Sequence, residues 1–128
     1  MSQKTIAEDE GELVRPKSIG VPLTSLDSEK LSQAAKKGKR SRQLEAMLRL
    51  HDHLKLFSRI PGDWAVAQEG EARNKKITVI LTARASARLT DVAAKSERSR
   101  VQEAALRLHD HLRRVPEISG DYYEITTL

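Results

Sequence analysis

The chain reads as a mainly α-helical protein with a short β-ribbon, made from two copies of one strand-helix-helix unit that pair within a single polypeptide. Three observations predict this. Residues 40–54, RSRQLEAMLRLHDHL, return at 98–112 as RSRVQEAALRLHDHL, an offset of 58 positions (99 − 41), and the two runs differ only at 43, 44 and 47 of the first. The match continues upstream through Ile19/Ile77, Val21/Val79, Leu23/Leu81, Thr24/Thr82, Leu31/Leu89, Ala35/Ala93 and Lys37/Lys95. Within each copy the apolar spacing changes from alternate residues to a helical period. Finally, a unit of about forty residues is too small to bury a core alone, so two half-cores pair most simply with each other, with approximate two-fold symmetry.

Residues 1–16 carry Glu8, Asp9, Glu10 and Glu12 without a hydrophobic period and read as a disordered acidic tail. The first unit spans 17–57. Ile19, Val21 and Leu23 alternate with Ser18, Gly20 and Pro22, which predicts a short strand with one core face. Thr24 then serves as a helix N-cap, and Leu26, Leu31, Ala34 and Ala35 supply the helical stripe. Gly38 suits a left-handed stop. Ser41 caps a second helix whose apolar residues Leu44, Ala46, Met47, Leu48, Leu50 and Leu54 cover much of its circumference, so a partner must bury it. A linker, 58–74, holds Pro61, Gly62 and Gly70, with Trp64 as its anchor.

The second unit, 75–115, repeats the design. Ile77, Val79 and Leu81 alternate with Lys76, Thr78 and Ile80. Thr82 and Ser99 are the N-caps, Leu89, Val92 and Ala93 form the first stripe, and Val101, Ala104, Ala105, Leu106, Leu108 and Leu112 line the second helix. In the C-terminal segment, 116–128, Ile118, Gly120, Asp121 and Tyr122 match Ile60, Gly62, Asp63 and Trp64 at the same offset, so the polypeptide after each second helix is expected to fold back in a related way.

With 128 residues and 38% hydrophobic content, the chain supports one modest core rather than a large enzyme with a deep cleft. A net charge of +5 and a pI near 9.7 favour a polyanionic partner. There is no cysteine, which excludes disulfides and thiolate metal sites and fits a reducing bacterial cytoplasm. Lys, Arg or Asp interrupts every apolar run, so neither a membrane span nor a signal peptide is expected.

A strand followed by two helices, the second opened by Arg-Ser-Arg, resembles the ribbon-helix-helix DNA-binding fold, as in the Arc and MetJ repressors. Two such units in tandem, each ending in Leu-x-Asp-His-Leu, resemble the TraY family of F-like conjugative plasmids over about residues 17 to 128. The resemblance implies a relaxosome accessory protein that binds double-stranded DNA near the plasmid origin of transfer and helps a relaxase to nick it. It also implies a part in regulating transfer-gene transcription. The implied partners are DNA, the relaxase and other relaxosome proteins, with the chain acting as a monomeric pseudo-dimer or as several copies on one DNA.

The residues support duplex binding on their own terms. Two antiparallel strands fit a major groove, and the side chains opposite the core face are Ser18, Gly20, Pro22, Lys76, Thr78 and Ile80. Lys76 can donate to guanine O6 or N7, Thr78 offers a hydroxyl and a methyl, Ile80 can meet a thymine methyl, and Ser18 is a short donor or acceptor. Gly20 and Pro22 offer no side-chain hydrogen bond, so the second strand should carry more of the base readout. The helix starts at Ser41 and Arg42, and at Ser99 and Arg100, are expected to hold phosphates through backbone N–H groups. Arg40, Glu45 and Arg49, with Arg98, Glu103 and Arg107, are expected to form buried structural ion networks like that of Arc.

The His51-Asp52-His53 and His109-Asp110-His111 runs invite a metal or catalytic reading, but residues two apart on a helix point about 200° apart and cannot share a small ion. A site between units, joining His51 and His109, is the remaining geometry. No nucleophile elbow or phosphate-binding glycine loop is present, so no catalytic residue and no cofactor are assigned. Two other classes compete with the relaxosome reading. One is a ribbon-helix-helix repressor or antitoxin. The other is a scaffold that leaves the ribbon unused.

Overall fold

A computed structural model describes residues 17–60 and 72–118. The acidic tail, Trp64, Tyr122 and the Pro61, Gly62 and Gly70 positions of the linker lie outside the described residues. Strand β1 (Lys17–Leu23) pairs antiparallel with β2 (Lys75–Leu81) in a two-stranded ribbon. The register places Gly20 opposite Thr78, and these residues are 58 positions apart. The ribbon is therefore centred on a pair of repeat-equivalent residues, and the pseudo-two-fold axis passes between them. Ile19, Val21, Leu23, Ile77, Val79 and Leu81 face inward and are buried, as the alternation predicts.

Helix α1 (Ser25–Gly38) and helix α2 (Arg42–Leu56) follow β1, while α3 (Ala83–Lys95) and α4 (Arg100–Arg114) follow β2. All four anticipated caps form. Thr24 accepts from the Asp27 N–H, Ser41 from Leu44, Thr82 from Ala85, and Ser99 from Gln102. The left-handed residue after α1 is Lys39, with φ 56°, rather than Gly38, and Glu97 takes the same conformation in the second unit with φ 55°. In each turn a backbone bond spans the corner, Arg40 N to Ala35 O and Arg98 N to Ala93 O, both 2.9 Å. Gly38 has a different reason for lacking a side chain. A Cβ there would lie 2.5 Å from Nη1 of Arg40, whose guanidinium crosses the helix end.

Three leucine and valine positions expected in the core stand outside it. Leu26 is 53% exposed because the buried stripe of α1 is Asp27, Leu31, Ala34 and Ala35, an i, i+4, i+7, i+8 set that excludes position 26. Leu44 and Val101 lie in the first turns of α2 and α4, where burial begins only at Glu45 and Glu103.

The core is shared between the units. α2 lies against β2 and α4 against β1, and the two helices cross each other beneath the ribbon. Ala46, Leu50 and Leu54 thus meet Ala104, Leu108 and Leu112 in one cluster with the inward ribbon residues and with Leu31 and Leu89. Each strand is covered by a helix of the other unit, so neither unit has a core of its own. The chain should therefore unfold in one cooperative transition. Leu50→Ala and Leu108→Ala, which remove fully buried side chains, should each cost about 2 to 5 kcal/mol in urea titration. Two resolved transitions would contradict the shared core.

Candidate nucleic-acid interface

The ribbon turns one face away from the helices. It carries three cross-strand pairs, Ser18 with Ile80, Gly20 with Thr78 and Pro22 with Lys76. Ser18, Lys76, Thr78 and Ile80 are exposed, and Gly20 and Pro22 are half-buried. All six expected reading residues thus share this surface. Lys17 and Lys75, two cations that the alternation argument passed over, begin the strands and are exposed; the register pairs them with Leu81 and Leu23, so they flank the ribbon ends and are not part of the outward face. Gly20 is crossed by its diagonal neighbour: a Cβ on it would lie 2.2 Å from Cε and 2.9 Å from Nζ of Lys76. Pro22 is tolerated because each strand of a two-stranded ribbon has an unpaired edge.

The starts of α2 and α4 are alike in cap and unlike in detail. Ser99 and Gln102 form a full capping box, in which the Gln102 side chain accepts from the Ser99 N–H at 2.9 Å. Position 44 holds Leu, so the first unit has no such box. Arg42 and Arg100 are half-buried and turned back onto the first helix of their own unit. Arg42 Nη1 donates to the Ser28 carbonyl at 2.8 Å and to the Ser32 hydroxyl, and Nη2 donates to Ser28 Oγ at 3.1 Å. Arg100 repeats this on Ser86 O at 2.8 Å, Thr90 Oγ1 and Ser86 Oγ at 3.1 Å. Both guanidinium groups thereby fix where the helix starts sit relative to α1 and α3.

Beneath the ribbon, Glu45 accepts from Arg40 at 2.7 Å and Arg49 at 3.0 Å, and Glu103 accepts from Arg98 and Arg107, both at 2.9 Å. The two glutamates and the two inner arginines are fully buried. Arg49 then reaches into the other unit, donating to the His111 carbonyl at 3.3 Å, to Val115 O and to Pro116 O at 3.0 Å. Arg107 does the same on His53 O at 3.3 Å and Phe57 O at 2.6 Å. Each inner arginine therefore caps the C-terminus of the opposite second helix, where the carbonyls and the helix dipole favour a cation. Burial pulls both arginines below their ordinary range while the glutamates oppose it.

The histidines belong to this structural core. The pair that approaches across the units is His53 and His111, with ring centroids 6.4 Å apart, not His51 and His109. His53 Nδ1 faces Arg107 Nη1 at 3.1 Å, and His111 Nδ1 faces Arg49 Nη1 at 3.1 Å. A guanidinium can only donate, so each Nδ1 accepts and each Nε2 carries the proton. Those protons go to Asp110 at 2.9 Å and Asp52 at 2.7 Å. The outer histidines differ. His109 meets the Asp27 carboxylate at 2.8 Å, whereas the position matching Asp27 is Ala85. His51 instead accepts from the Thr82 N–H at 3.2 Å and donates through Nδ1 to Met47 O at 2.7 Å. Sequence reasoning missed these links because they depend on how α2 and α4 cross. Among the described residues no group of three or more His, Asp or Glu side chains is placed to hold a metal ion, and no helix is long and apolar enough to cross a membrane.

Burial lowers the His53 imidazole to about 4, with Arg107 adding to the effect and Asp110 opposing it. Burial also lowers His51. For Asp110, hydrogen bonds from Arg113, Arg114 and His53 outweigh the burial that would raise it, leaving it below the usual carboxylate range. Above pH about 6.5 His53 is neutral in both folded and unfolded chains. Below that the unfolded chain takes up the proton first, so stability falls as pH drops towards about 4. The loss through His53 should be about 3 kcal/mol, read from urea midpoints across this range, and His53→Gln should flatten the profile. Arg49→Ala, which leaves Glu45 with Arg40 alone and uncaps the opposite helix end, should cost about 3 to 5 kcal/mol in the same assay.

A family model described as TraY domain matches residues 23–63 and again residues 77–121, together more than half of the chain. Neither the curated proteins nor the solved structures gave a match.

Proposed function

The chain belongs to the TraY family, a family of DNA-binding proteins associated with the conjugative relaxosome, and on that premise we propose that it binds a specific duplex near a plasmid origin of transfer and assists a relaxase there. The ribbon enters the major groove, with Lys76, Thr78 and Ile80 of β2 reading base edges and Ser18, Gly20 and Pro22 of β1 completing the face. The observation that carries this reading is the exposed outward face of β1 and β2, with Lys76 on it, Lys17 and Lys75 exposed at the ribbon ends, and Ile19, Val21, Leu23, Ile77, Val79 and Leu81 buried beneath. Two strands about 4.8 Å apart fit a groove about 12 Å wide.

Phosphates on either side are held at the starts of α2 and α4, through backbone N–H groups near Ser41 and Ser99 and the charge of Arg42 and Arg100. These arginines also act indirectly, since they tie the helix starts to α1 and α3. Because the two halves of the face differ, the target need not be a palindrome. The protein contributes no chemistry of its own; strand cleavage is the relaxase's. Regulation of transfer-gene transcription would use the same face on a promoter.

The test compares binding to a labelled origin-of-transfer duplex and to a random duplex of equal length, each at two salt concentrations. Tighter binding to the origin that survives the higher salt is the expected result. Equal and strongly salt-sensitive binding to both would favour a repressor or antitoxin acting elsewhere. Lys76→Ala should weaken binding to the origin by about 1 to 3 kcal/mol and leave random DNA nearly unaffected, while Arg42→Ala should weaken both.

A further inference from the structure

We propose that Gly20 is a positioning residue for base recognition: its missing side chain admits Lys76 across the strand boundary and sets the lysine ammonium over the centre of the reading face. The proposal rests on the ribbon reading above. Lys76 is opposite Pro22, near the end of the ribbon, yet its Cε and Nζ are the atoms nearest to where a Cβ on Gly20 would stand, at 2.2 and 2.9 Å. Gly20 and Thr78 form the central pair, through which the pseudo-two-fold axis passes. The only long cation on the outward face is therefore folded inward over the middle of the surface rather than extended past its end.

Backbone geometry does not account for this glycine. Gly20 lies within a regular antiparallel strand, and glycine at such a site weakens a strand by removing side-chain packing. It has no positive φ that would call for glycine. What it provides is an open track for one neighbour. The pseudo-symmetric position shows the contrast, since Thr78 bears a branched side chain and the residue matching Lys76 on β1 is the short Ser18. The track exists on one side of the axis only. An ammonium held low over the centre can reach base edges on both sides of the central pair, which gives one lysine a part in reading both halves of a site that the β1 residues read poorly.

A Cβ at position 20 meets only the flexible end of a lysine, so Gly20→Ala should fold normally and move the ammonium without otherwise changing the ribbon. The experiment is a double-mutant cycle with Gly20→Ala and Lys76→Ala in the full chain. The probes are a duplex enriched by the unaltered protein from a randomised pool, and a random duplex of equal length. Gly20→Ala should not lower thermal stability and should reduce the preference for the enriched over the random duplex by about tenfold, the scale of one good base contact. In a Lys76→Ala background the same change should have no further effect.

An equal loss with and without Lys76 would mean that the new methyl obstructs DNA directly and would overturn the proposal. So would an unchanged preference in Gly20→Ala when Lys76→Ala alone lowers it, and in that case ribbon reading itself would stand. If no duplex is enriched, or Lys76→Ala leaves the preference intact, the ribbon reading fails and this inference with it.

Discussion

Each buried arginine beneath the ribbon draws its partners from both units, and the rest of the structure depends on that division. Arg49 has its carboxylate, Glu45, on its own helix, but its remaining donors end on carbonyls at the far end of α4. Arg107 mirrors it on the end of α2 through Nε and Nη1, while its buried Nη2 has no partner among the described residues. A guanidinium taken out of water costs several kcal/mol unless its donors are satisfied, so the units are stable only in the relative placement that brings each helix end to the opposite arginine. That placement fixes the crossing of α2 and α4. The crossing fixes which strand lies above each helix, and hence the register that puts six outward residues on one surface.

Much of this was legible in the sequence because it follows from short-range spacing. Alternation at 19, 21 and 23 and at 77, 79 and 81 gave the ribbon and its two faces, and Thr24, Ser41, Thr82 and Ser99 gave the helix starts. The fold class followed from the repeat. What could not be read were features set by approach between distant segments. The pairing of His53 with Asp110 and of His111 with Asp52 needs the helix crossing. Leu26 was misplaced because Asp27, a polar residue satisfied by Thr24 and His109, takes the buried position that an apolar count assigns to its neighbour. Gly38 looked like a stop signal, yet the left-handed turn falls to Lys39, and glycine is there because a guanidinium passes close. The course of Lys76 over Gly20 is invisible in spacing as well, since it joins residues 56 positions apart (76 − 20).

The two units have kept one core and diverged around it. The Arg-Glu-Arg sets and the crossed His-Asp links are present twice, with nearly equal distances. Away from them, Asp27 faces Ala85 across the repeat, Lys39 faces Glu97 at the same left-handed turn, and the capping box closes only the second unit. Substitution is confined where a change would strand a charge in both halves. It is free elsewhere, at exposed turns and even at the buried positions of Asp27 and Ala85, where one half can change without the other.

Joining the halves in one polypeptide also removes protein concentration from the assembly of the ribbon. Two separate chains that complete each other's cores come apart on dilution, because pairing must overcome the loss of independent motion of two bodies. Here β1 and β2 are tethered through the residues between Leu56 and Lys75, and a short tether holds its ends at an effective concentration on the order of millimolar. A cell holding only a few copies would still present every one of them with its surface complete, so occupancy of a site would vary with copy number to the first power rather than the second.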